Sequence, residues 1–360
     1  MGNTALCAIA LILYFTGILK TPRKKKENGF ELLVIGTILL IALTGLAALI
    51  FTVAGIPVTL FSMTTSIFAL TVVLWGRCVW KKEIAKCRWP VFDAVSLLII
   101  LAVILLAAVK RFGINLNLNY GGVDSARYFQ LAMEVLESKE VSGEFLTDLL
   151  NAMFIAFFQP FLPSVSYYKA FIAADVFVHL LSGAMFYFLI SKINCGKGRW
   201  WNPVLTLLYF GGYPLYNLTS GGFLHWVDGM LMVMFVIYAV LLLMRREIAE
   251  GKGILYLLCG LFGVICFYPI LLIMVGPMLL PEAVVWCKDN LKRLPKKMLI
   301  ALGILILLVA GGIVLVVGQR VNHSWDKVFY SLTVEGTIYR EPYMDFLFFV
   351  PVLFCFFMLL

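Results

Sequence analysis

KRFGINLNLNYGGVDSARYFQLAMEVLESKEVSGEF, residues 110–145, is the longest polar interval in a chain that is otherwise almost all hydrocarbon. Of the 360 residues 62% are hydrophobic and 14% charged, where a soluble domain carries about 25% charged residues. A membrane-crossing helix needs roughly 20 apolar residues, and the apolar runs on either side of the interval supply about ten or eleven crossings. The composition therefore predicts an all-α polytopic membrane protein, a single integral membrane domain over residues 1–360. Four spans occupy 1–109, a loop with amphipathic interfacial helices occupies 110–164, and the remaining spans lie in 165–360. The last apolar run ends inside hydrocarbon, which predicts a fragment or a truncated reading frame.

The basic runs at 20–26, 77–88, 245–252 and 288–297 set the expected orientation. Placed on the cytoplasmic side with Lys192, Lys197 and Arg199, they put 21 of the 29 Lys and Arg inside, as the positive-inside pattern requires. The amino terminus is then outside, because the run from Lys20 to Lys26 follows the first apolar segment, the reverse of a cleavable signal peptide. The net charge of +9 is thereby a topology signal, and no nucleic-acid partner is expected. Spans are predicted at 4–19, 30–52, 58–76, 91–109, 165–191, 201–218 and 228–244. Two short helices broken at Tyr268-Pro269 follow, then 298–318 and 346–360. The apolar segment 145–162 carries Asp148, Asn151 and Gln159, and counting it as a crossing would put Arg245 and Arg246 outside. It reads as an interfacial or re-entrant helix. None of the eight cysteines falls in an outer loop, which argues against a disulfide framework, and none has zinc-ligand spacing.

Within the interval, Asp124 and Arg127 stand three residues apart at the start of a helical pattern, on one face. Phe129, Ala132, Met133 and Leu136 recur at helical spacing with Arg127, Gln130, Glu134 and Glu137 opposite, the pattern of a helix lying on a membrane surface. After the Gly121-Gly122 turn, Asp124 suits a helix N-cap, which leaves Arg127 unexplained.

A long outer loop with an acidic residue just ahead of an aromatic-bearing amphipathic helix resembles the first outer loop of the GT-C superfamily of membrane glycosyltransferases. The resemblance covers Asp124 to Leu136 and the general architecture. In that superfamily the loop follows the first span, whereas here it follows the fourth. The resemblance implies transfer of a sugar from a polyprenyl-phosphate carrier to an acceptor on the extracytoplasmic face, in a bacterial plasma membrane. Asp124 would be the catalytic carboxylate, deprotonating the acceptor hydroxyl or holding a divalent metal ion. Arg127 would pair with the carrier phosphate, with Tyr128 beside it in the substrate site.

Other polar residues are candidates for the same site. Asp175 and His179 lie one helical turn apart inside a span, where ionisable groups face a cavity or each other. They are either a mutually satisfied packing pair or substrate contacts. His225, Trp226 and Asp228 read as an outer turn after Gly221-Gly222, with Trp226 a belt aromatic and His225 and Asp228 placed to bind sugar hydroxyls. In the loop 319–345, Arg340 could hold phosphate and Tyr339 could stack on sugar or isoprenoid. Asp124, Arg127, Asp175, His225, Asp228 and Arg340 are expected to line one outward-opening cavity. Two competing functions use the same charges: a transporter or flippase of a lipid-linked or small anionic substrate, and an outer-face glycan polymerase or ligase. The paired broken helices of many transporters have no matching half here.

Overall fold

A computed structural model describes residues 1–22, 27–82, 84–117, 119, 123–141, 145–194, 198–272 and 275. Two compact units divide the chain at Leu271, and all but two of the described residues fall in the first. Its elements are α1 (Gly2–Lys20), α2 (Gly29–Val53), α3 (Leu60–Lys81), α4 (Val91–Phe112), α5 (Val123–Ser138), α6 (Phe145–Phe158), α7 (Tyr167–Ile193), α8 (Trp201–Phe210), α9 (Tyr213–Tyr216), α10 (Leu224–Met244) and α11 (Glu250–Phe267). No strand occurs among the described residues, only one isolated bridge, Asn28 to Arg88. Seven of these helices, α1, α2, α3, α4, α7, α10 and α11, are long and apolar enough to cross a membrane. The chain is an all-α integral membrane protein.

α7 and α10 form the centre. Each is 83% buried along its most apolar 18 residues, against 28% for α1 and α3, and helices apolar all round belong at such a centre. α10 pairs with α11 through glycines that let the backbones approach. A Cβ on Gly260 would lie 2.7 Å from Val236 Cγ2, and one on Gly263 would lie 2.6 Å from Met232 Sδ. In a membrane, where lipid is as apolar as leucine, close packing of this kind holds helices together.

One end of the unit is tied by charge. Lys192 at the end of α7 lies 3.2 Å from both Glu31 and Glu247, and Tyr238 donates a hydrogen bond to Glu31. Arg245 donates to the last carbonyls of α7, at Lys192 and Ile193, the favoured place for a cation on a helix. Asp93, in the first turn of α4, accepts from Tyr187 at 2.8 Å and from Asn28 at 2.6 Å, with Arg199 3.5 Å away. Lys252 reaches Glu27 at 3.6 Å. Glu27, Asn28, Glu31, Asp93, Lys192, Arg199 and the stretch from Arg245 to Lys252 thus meet at one end of the bundle.

One predicted span differs. The span expected at 201–218 is not one helix: α8 stops at Gly211-Gly212, α9 is a four-residue piece opened by Pro214, and a π turn covers Asn217–Gly221. Two glycines and a proline in succession interrupt the hydrogen-bond ladder. The segment at 145–162 forms α6, whose 14 residues rise about 21 Å, short of the roughly 30 Å hydrocarbon core. α11 ends at Phe267 and a 3-10 turn begins at Pro269, as the Tyr268-Pro269 break predicts. The spans expected at 298–318 and 346–360 lie outside the described residues.

The glycine contact yields a direct test. Gly260→Ile should destabilise the purified protein by about 1–3 kcal/mol through overpacking, read as a lower unfolding temperature in detergent. Gly251→Ala, where an added Cβ meets nothing within 4 Å, should leave that temperature unchanged or raise it.

Candidate functional site

The end of the bundle opposite the charged ties is closed by α5 and α6. α5 buries Ser125, Tyr128, Ala132 and Val135 and exposes Asp124, Arg127, Gln130, Glu134 and Glu137. The polar face is the expected one, while the most buried stripe is centred on Tyr128, Ala132 and Val135. α5 is fixed at its start by Ser125 Oγ, which donates to the Gly222 carbonyl at 3.2 Å. The segment after it clasps the turn between α2 and α3: Val58 N donates to the Lys139 carbonyl at 2.7 Å, and Val141 N to Thr52 Oγ1 at 3.1 Å.

Beneath α5 lies a cluster of buried polar side chains from α6, α7 and α10. Thr147 Oγ1 donates to Asp228 Oδ2 at 2.6 Å. His225 Nε2 lies 3.8 Å from Asp148 Oδ1, and the Tyr128 ring covers His225 with centroids 4.3 Å apart. Asn151 is buried one turn after Thr147. On α7, His179 Nδ1 lies 2.9 Å from the Asp175 carbonyl and 3.2 Å from its Oδ1. Both are acceptors, so Nδ1 carries a proton. His179 Nε2 and Ser182 Oγ, one turn apart, have no hydrogen-bond partner among the described residues. Asp228 lies within electrostatic range of His225, Asp175 and His179.

His225, Trp226 and Asp228, expected in an outer turn, instead belong to the first two turns of α10, where His225 and Asp228 are buried. The reason is local. Gly222 adopts a left-handed φ of 64°, and the Asn217 side chain closes the turn by accepting from Phe223 N and donating to the Phe223 carbonyl. The helix therefore starts before His225. Asp124 lies in the first turn of α5, one residue into the helix that starts at Val123, so it is not the N-cap. A carboxylate there still complements the helix dipole.

Of the residues expected to share one cavity, the structure brings Asp175, His225 and Asp228 together, with His179 and Tyr128 beside them. Asp124 and Arg127 are exposed in the first turns of α5, and Arg127 is 3.8 Å from Glu134. Asp124 stands one helical turn before Tyr128, at the exposed start of the stripe that Tyr128 continues into the cluster. Tyr339 and Arg340 lie outside the described residues. Among the described residues no three His, Cys, Asp or Glu side chains converge as metal ligands. Sequence reading missed the part of α6 in the cluster. Thr147, Asp148 and Asn151 fall within one turn of an apolar helix, a polar stripe that signals a buried partner surface. Compared with family models, with curated proteins and with solved structures, the chain matches none.

A double-mutant cycle tests the centre of the cluster. Thr147→Val leaves the buried Asp228 short of a donor and should cost about 1–3 kcal/mol. Joined with Asp228→Leu it should cost clearly less than the sum of the two single changes, measured by unfolding in detergent micelles.

Proposed function

We propose that the protein is a membrane glycosyltransferase that moves a sugar from a polyprenyl-phosphate carrier to an acceptor hydroxyl on the extracytoplasmic face of a bacterial plasma membrane. One observation carries the reading: Asp124 is exposed at the start of α5, one helical turn before Tyr128, whose ring is packed on the buried polar cluster. A carboxylate so placed is open to a substrate held in the membrane while its helix cannot drift. Asp124 would accept the proton of the acceptor hydroxyl as its oxygen attacks the anomeric carbon, and the carrier phosphate would leave. Arg127 lies three residues along. Its pair with Glu134 is exposed, and exposed pairs contribute little, so the guanidinium can exchange Glu134 for the carrier phosphate. The buried cluster is rich in carboxylates and unsuited to an anion, which leaves the phosphate on the outer face of α5. Tyr128 and His225 act as positioning residues that hold α5 onto α10 through their packed rings, while Asp228, bonded to Thr147, holds α10 to α6 beneath it.

The buried Asp and His side chains in central helices favour a second reading, a proton-coupled transporter, since such groups mark ion and proton paths. Asp124→Asn decides between them. For the glycosyltransferase, transfer from a polyprenyl-phosphate-linked sugar should fall about 10² to 10⁴-fold, the usual loss of a general base, with the unfolding temperature close to the parental one. Parental transfer by Asp124→Asn would overturn this reading. Gradient-driven uptake into proteoliposomes that survives Asp124→Asn and is lost in Asp228→Asn would establish the transporter.

A further inference from the structure

A cavity of about 340 Å³ lies between α1, α2 and α3 on one side and α6 and α7 on the other. Its walls include Cys7, Phe15, Ile41, Met63, Met153 and Phe157. The hydroxyls that touch it are already engaged: Thr37 donates to the Leu33 carbonyl at 2.8 Å, and Thr44 to the Leu40 carbonyl at 2.7 Å. Water needs two to four polar partners, so this space does not hold water. Left empty, it would forfeit dispersion contacts on every wall atom. In a bilayer the solvent that fills such a space is a hydrocarbon chain.

We propose that the cavity is a binding site for one acyl chain of a membrane phospholipid, a lipid that is not a substrate and that joins α1, α2 and α3 to α6 and α7. The size fits. If a methylene occupies about as much space as a water, ~30 Å³, the cavity takes about a dozen. From Cys7 to Phe15 the wall rises about 12 Å along α1, the span of a single unbranched chain segment. The place fits as well. α6 is two-faced: Met153 and Phe157 face the cavity, while Thr147 bonds Asp228 in the polar cluster. A chain in the cavity is therefore separated by a helix from the cluster beneath Asp124. Across the cavity α1 reaches α6 through Thr4 Oγ1, which donates to the Phe157 carbonyl at 3.1 Å, so a bound chain supplies contact that side chains leave out.

The test uses the full chain in nanodiscs made with phosphatidylglycerol that carries a diazirine in one acyl chain. After irradiation and peptide mapping, adducts are expected at Met63 and Met153 as well as at Val72, which is 69% exposed and meets bulk lipid. Met153→Trp fills the space and should cut the Met63 adduct roughly tenfold, equivalent to about 1.4 kcal/mol of binding, while the Val72 adduct persists. If the Val72 adduct is lost too, the smaller change Leu11→Phe in the α1 wall reads the same comparison in a folded protein. Adducts confined to exposed positions would overturn the proposal. So would a Met63 adduct unchanged in the filled variants. Displacement of the adduct by polyprenyl phosphate would also overturn it, by giving the cavity to a substrate chain.

Discussion

The hydrogen bond from Thr147 to Asp228 expresses the constraint that organises this protein: a carboxylate buried among hydrocarbon helices must find a donor inside the protein, because lipid offers none. The donor comes from α6, a helix too short to cross, and this draws α6 beneath α5 and against α7 and α10. His225 then meets Asp148 of α6 and the ring of Tyr128 from α5. The neighbouring helices α5 and α6 are thereby held to α10, which lies beyond α7 in the chain.

The opposite end solves the same problem with charge pairs near the membrane boundary. Lys192 between Glu31 and Glu247, Arg245 on the end of α7, and Asp93 among Asn28, Tyr187 and Arg199 join α2, α4, α7, α10 and the start of α8. Several of these groups are partly exposed, so each pair alone contributes modestly; their weight lies in joining helix ends whose apolar flanks have little preference among partners. Between the two ends, packing at glycines such as Gly260 and Gly263 sets how closely α10 and α11 approach.

The two faces of α5 separate the roles of its residues. Tyr128 and Ser125 face inward and anchor the helix, while Arg127, Gln130 and Glu134 face outward and Asp124 is exposed at the helix start. Adjacent residues on a helix point about 100° apart, so a motif that reads as one cluster along the chain is divided between a structural face and a presented face. α6 repeats the theme, with a polar stripe toward the cluster and an apolar stripe toward the cavity.

The sequence by itself determined the membrane class, the long apolar helices, the break at Tyr268-Pro269 and the amphipathic character of α5. These follow from apolar run length, proline and 3.6-residue periodicity, all local properties of the chain. It also marked Asp175, His179 and Asp228 as costly in hydrocarbon. The start of α10 before His225 and the break in 201–218 are local, set by the Asn217 turn and by Gly211, Gly212 and Pro214. Tertiary structure alone decided that Thr147 and Asp148 of α6 meet Asp228 and His225 of α10. Partner choice between helices depends on which side chains meet across distant segments. It is not written in the spacing of residues within one segment, because hydrocarbon surfaces pack against many partners about equally well and only the few buried polar contacts and close glycine approaches select among them.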